Sequence, residues 1–178
     1  MVKLREASRL ALVLLVVGMM ALALHLLGRV PACLSSSPTL KDYASLEAAE
    51  AELGFKITLP TYFPSYLYWP PSSIRGQLQP VPMVQIIFLT TDQSTEALWL
   101  TQIASDSMDW PQGLPWIKTI LERIPVDIGG NQGELVVGQR DDGQLVNGVY
   151  WTTDGRHFAA VMSQPIREVL ILARSMHP

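Results

Sequence analysis

Leu10 to Gly28 (LALVLLVVGMMALALHLLG) is an unbroken apolar run in which His25 is the only titratable side chain. As a helix rising 1.5 Å per residue it reaches roughly 28 Å, close to the ~30 Å hydrocarbon thickness of a bilayer. Lys3, Arg5 and Arg9 precede it, against a single acid, Glu6. Basic residues are retained on the cytoplasmic side, so the rest of the chain is expected outside. The sequence therefore predicts a cytoplasmic N-terminus over residues 1–9, a transmembrane anchor helix over 10–28, a linker over 29–44 and an extracytoplasmic domain over 45–178. The protein is expected in the cell membrane, in contact with lipid through one pass.

Two other fates of this segment compete with a retained signal-anchor. A cleaved signal peptide shares the basic start, but its apolar core runs to only about 7–15 residues. A lipoprotein signal places small residues before an acylated cysteine, and Val30-Pro31-Ala32-Cys33 follows that pattern apart from its proline. Lipidation at Cys33 thus stands as an alternative tether. His25 reads as a neutral imidazole near the outer interface rather than as an intramembrane proton or metal group.

Cys33 is the only cysteine. An exported domain without a second thiol has no internal disulfide and no cysteine-based zinc site. The 145 residues after Cys33 suffice for one domain with a real core. They carry nine Lys or Arg against fifteen Asp or Glu, evenly spread. Nucleic-acid phosphates call for clustered bases, so no nucleic-acid partner is expected.

The pattern of punctuation predicts an α+β fold, an antiparallel sheet of six to eight strands with a C-terminal helix packed on one face. Ser45 to Leu53 reads as a helix capped by Ser45 and stopped by Gly54. Phe55 to Leu59 has strand composition, and Pro60, Pro64, Pro70 and Pro71 then mark an edge or loop. Val84 to Thr90 is apolar on both faces, as a central strand should be, with Leu98 to Ala104 as its neighbour. Strands are expected over 117–127, where Pro115 and Pro125 favour a strand over the alternative helix from Trp116 to Ile124, and over 133–139, 146–152 and 156–162. The turns between them fall at Gly129-Gly130, Asp141-Asp142-Gly143 and Asp154-Gly155. A closing helix starts beyond Ser163, its expected cap, and buries Ile166, Val169, Leu170, Ala173 and Met176.

Catalytic machinery is sparse. His157 follows a hairpin turn and lacks a G-x-S-x-G partner motif, and His177 sits one residue from the C-terminus. No catalytic residue, metal ligand or cofactor is expected. Asp106 and Asp109, beside Trp110, form the one carboxylate and aromatic cluster that suits a cell-wall or glycan hydrolase. Gly129-Gly130-Asn131-Gln132-Gly133 lacks the Lys-Ser/Thr of a phosphate loop and reads as a hairpin. Aromatic residues crowd the proline passage. Tyr62, Tyr66, Tyr68 and Trp69, with Trp110 and Trp116, are the candidate ligand or partner surface, unless they only order the loop and the core rim.

Three passages resemble a family of bacterial exported domains of unknown function. Its members form the outer domain of anti-sigma-factor-like and sporulation-associated membrane proteins. The passages are Leu59-Pro60-Thr61-Tyr62-Phe63-Pro64, Val126-Asp127-Ile128-Gly129-Gly130-Asn131-Gln132-Gly133, and the Trp151 to Gly155 hairpin with its following strand and helix. The resemblance covers about residues 45–176. It implies an antiparallel sheet with a C-terminal helix and a sensory or scaffolding role without enzymatic activity. Only about nine residues are predicted inside the cell, so direct sigma-factor binding is not expected. The expected function is a membrane-anchored binding or sensory domain that engages an envelope protein or glycan through a sheet edge or the Pro/aromatic loop. The alternatives are the hydrolase at Asp106 and Asp109 and the lipoprotein tethered at Cys33.

Overall fold

The computed structural model describes residues 40–105 and 116–176. The apolar run 10–28, Cys33, and the segment carrying Asp106, Asp109 and Trp110 lie outside these residues. Among the described residues no helix is long and apolar enough to cross a membrane.

Strands dominate the domain because its turns are cheap to make. Gly129 and Gly130 both take positive φ (61° and 88°), as do Asp154 and Gly155 (48° and 67°). Two-residue loops of that kind match the twist of the strands they join. They connect β5 (Thr119–Ile128) to β6 (Asn131–Gln139) and β7 (Leu145–Thr153) to β8 (Arg156–Met162). The remaining strands are β1 (Lys41–Asp42), β2 (Ser73–Gln77), β3 (Met83–Leu89) and β4 (Glu96–Ala104). All eight join one sheet in the order β1-β2-β3-β4-β8-β7-β6-β5. Every pairing is antiparallel. Two meanders thus meet at β4 and β8, the most buried pair of the sheet.

The register defines two faces. Ile74, Ile86, Leu100, Ala160, Val149, Leu135 and Ile124 lie in one row across seven strands. Both helices pack on that face, in the larger core cluster. Helix α1 (Leu46–Leu53) covers β2 and β3, and α2 (Ile166–Arg174) covers β5, β7 and β8. The next row, Ser73, Ile87, Trp99, Val161, Gly148, Val136 and Arg123, lies on the opposite face. Ile87, Trp99, Val136 and Val161 belong there to a second buried cluster, which carries no helix. The architecture is the expected α+β sheet with a C-terminal helix.

Several local expectations change. Lys41 and Asp42, read as the end of a linker, pair with Gly76 and Arg75 as an edge strand. Strand β2 went unforeseen, because five residues with an arginine and a glycine carry little strand signal. Phe55 to Leu59 forms no strand. Its ladder is replaced by the buried Gln102 amide, which accepts from the Thr58 N–H at 2.9 Å and donates to the Thr58 carbonyl at 2.6 Å. Ser45 caps α1 by accepting from the Ala48 N–H, and Gly54 ends it in the left-handed conformation, both as expected. Ser163 does not cap α2. Pro165 occupies the cap position without a side-chain bond, and the Ser163 hydroxyl is buried without a partner among the described residues. Leu172, absent from the expected face, is fully buried, while Ile166 stays 37% exposed.

Candidate functional site

The Pro/aromatic passage is bound down along its length. Thr61 donates from its N–H and its hydroxyl to the Ser175 carbonyl, at 3.2 and 3.0 Å. The Tyr62 hydroxyl donates to Glu168 at 3.1 Å. Tyr68 donates its N–H to the Leu89 carbonyl at 2.8 Å, and Thr91 donates to the Tyr66 carbonyl at 2.9 Å. The passage is therefore a strap between β3 and α2. Burial, and after it the nearby Glu168 carboxylate, pushes the Tyr66 hydroxyl up to about 12. It stays protonated, packed against the main core.

Trp69 is the most exposed aromatic of the passage, with 53% of its surface open against 38% for Tyr62. Its ring stacks on the buried Phe88 (5.9 Å between centroids, 26° between planes) and meets Phe63 edge-on at 5.8 Å. That geometry stabilises the strap, as offset and edge-to-face aromatic pairs do. Tyr62, Tyr66 and Trp69 all belong to the helix-bearing side. Trp116 packs against the cluster on the other face. The six aromatic residues picked from the sequence therefore do not share one surface: Trp110 lies outside the described residues and Trp116 is across the sheet.

Trp116 leads to a better-built site. On the helix-free face a recess of about 390 Å³ is lined by Ile87 and Trp99 of the sheet, by Trp116, and by charged side chains from three directions. Arg75 comes from β2, Glu96 from the start of β4, and Arg140, Asp141 and Asp142 from the β6–β7 turn. The turn is held rigid. Arg140 exchanges backbone bonds with Gly143 and Gln144, and Asp142 accepts from the Gln144 N–H at 2.9 Å. Gly143 takes the positive φ of 81° that the turn needs.

The charges are mostly spoken for. The Arg140 guanidinium lies 4.6 Å from the Trp99 ring centroid, within cation–π range, and 3.9 Å from Asp142. Lys118 pairs with Asp141 at 2.9 Å, and Arg75 with Asp42 at 2.9 Å. Glu96 has no ion-pair partner among the described residues. The Trp116 indole N–H is shielded from solvent and donates to nothing among them. Of these residues the sequence marks Trp116 alone as a candidate ligand residue, and it reads Asp141 and Asp142 as a hairpin turn. Arg140 and Trp99 stand 41 positions apart, and only the β4-β8-β7-β6 strand order brings them together.

The remaining chemistry is limited. His157 is buried in β8, with its Nδ1 2.9 Å from the Thr152 hydroxyl. No group of three or more His, Cys, Asp or Glu among the described residues converges as a metal cage. Tyr150, held far up by burial, stays protonated over Gly148. Comparison with known proteins finds no match to this chain among family models, curated proteins or solved structures.

Proposed function

We propose that this chain is a membrane-anchored, extracytoplasmic module that binds a component of the cell envelope without chemically transforming it. The recess between Trp99, Trp116, Arg75 and Arg140 carries the proposal. A concave site with an aromatic floor and a few convergent polar groups is the usual form of a binding pocket. Four of its five charged groups are held in ion pairs, Arg140 with Asp142, Asp141 with Lys118 and Arg75 with Asp42, which suits recognition better than proton transfer. The apolar run 10–28 and its basic flank support the tether. The Leu59–Pro64 and Val126–Gly133 motifs support a sensory or scaffolding role through their family resemblance.

One labelling experiment tests both location and binding. In a Cys33→Ser background, Lys118→Cys places the only thiol of the chain at the rim of the recess, beside Asp141. A membrane-impermeant maleimide should modify it in intact cells. Prior incubation with envelope material should protect it, while Glu47→Cys on α1 stays reactive. Modification only after permeabilisation overturns the outward orientation, and modification without protection overturns the binding role. The Val30-Pro31-Ala32-Cys33 pattern favours a second tether, by acylation. Lipid label present on the wild type and lost in Cys33→Ser would establish it.

A further inference from the structure

We infer that the helix-free recess selects an uncharged saccharide, a deeper statement of the binding role and dependent on it. The charge layout decides the ligand class. Two guanidinium groups, Arg75 and Arg140, face the same space as three carboxylates, Glu96, Asp141 and Asp142. A cationic ligand meets the two arginines, and an anionic one meets the three acids. Like charges at such short range cost more as water is excluded. A neutral ligand rich in hydroxyls avoids both penalties and can donate to the carboxylates while accepting from the guanidiniums. Charged partners make the stronger hydrogen bonds of this kind.

Size and surface agree with that choice. A recess of about 390 Å³ lies at the lower end of the roughly 300–1,000 Å³ range of small-molecule sites, enough for a short saccharide to seat its non-reducing end. Trp116 and Ile87 offer apolar surface to the C–H face of a sugar ring. Glu96 supplies an acceptor that no described side chain occupies. Arg140, held over the Trp99 ring and beside Asp142, is already placed for bonding and loses little freedom on binding.

The test uses the full chain in detergent micelles, titrated with triacetylchitotriose while tryptophan emission is followed. Saturable quenching or shifting of the emission is expected. The fully deacetylated trimer, which is cationic, and a trigalacturonate, which is anionic, should each bind at least about tenfold more weakly. Trp116→Ala should abolish the response. Glu96→Ala, at an exposed position, should weaken binding about tenfold without disturbing the core. Absence of saturable binding to the neutral trimer, equal binding of the charged ones, or indifference to both substitutions overturns the saccharide assignment. If envelope material still protects a thiol at position 118, the general binding role survives that failure. Mass spectrometry should recover the trimer intact, and cleavage would instead overturn the non-enzymatic role.

Discussion

Glu50 shows how one side chain joins two segments that neither periodicity nor composition connects. It lies on α1, yet its carboxylate accepts from the Ile57 N–H at 2.8 Å and from Lys56 at 3.0 Å. The backbone bond, with the Lys56 ammonium behind it, holds its titration below the ordinary glutamate value. The folded state therefore favours the ionised form. This contribution is complete above the unfolded glutamate value and is lost as pH falls through the lower folded value. Glu50→Ala should cost about 1–2 kcal/mol near neutral pH, the usual worth of a hydrogen bond to a charged group. Thermal melts at pH 7 and pH 3 check it: the gap between wild type and variant should narrow in acid. A gap that widens there would show that the carboxylate is not what matters. The same scale explains which residues could be read from sequence. Ser45, Gly54, Gly130 and Gly143 act locally, and local chemistry predicts them. Gln102 acts on Thr58 across 44 positions, so Phe55 to Leu59 looked like a strand and is not one.

At the scale of elements, the free edge of β5 was the natural docking place for a partner strand. The structure closes it. Asp127, Pro125 and Arg123 alternate along the strand, so their backbone polar groups point the same way. The Asp127 carbonyl is taken by the Arg174 guanidinium of α2, at 3.2 and 3.3 Å. Pro125 has no N–H to offer. The register breaks between Ile120 and Glu122, which leaves Leu121 bulged and 54% exposed. Proline, bulge and charge are the standard protections against edge-to-edge pairing. Removing two of them should expose the hazard. Pro125→Val with Arg174→Ala should associate in a concentration-dependent way in sedimentation velocity, while either single change stays monodisperse. A double variant that remains monodisperse at high concentration would mean that the bulge alone suffices. Strand β5 itself was legible from Pro115 and Pro125 as brackets and Gly129-Gly130 as the following turn, although Pro125 lies inside the strand, where an outer edge tolerates its missing N–H. Its edge position was not, since sequence order places β5 next to β4 and the sheet places β8 there.

For the whole molecule the question is where the folded body begins. Sequence composition sets the boundary near residue 45, at the first helix cap. Contacts move it earlier. Lys41 and Asp42 pair with Gly76 and Arg75, the Tyr43 N–H donates to the Ile74 carbonyl at 2.8 Å, and the Arg75 side chain bonds Asp42. Tyr43 packs against the main core, and its ring lies so close to Gly76 that a side chain there would strike it. Removing residues 1–39 should therefore release a domain that melts where the full chain does, because every helix and strand among the described residues lies beyond residue 39. Removing residues 1–44 takes away β1, the cover over Gly76 and the Asp42 partner of Arg75. Full burial of a large apolar side chain contributes about 1.5–3 kcal/mol, and loss of the partly buried Tyr43 costs a share of that. The shorter form should unfold at correspondingly lower denaturant, with a slope close to that of the longer one. The loss should also reach the recess, since Arg75 gives up its ion pair and swings free beside Glu96. Saccharide affinity should then fall along with stability, whereas equal midpoints for the two truncations would show that the strand read as linker is dispensable after all.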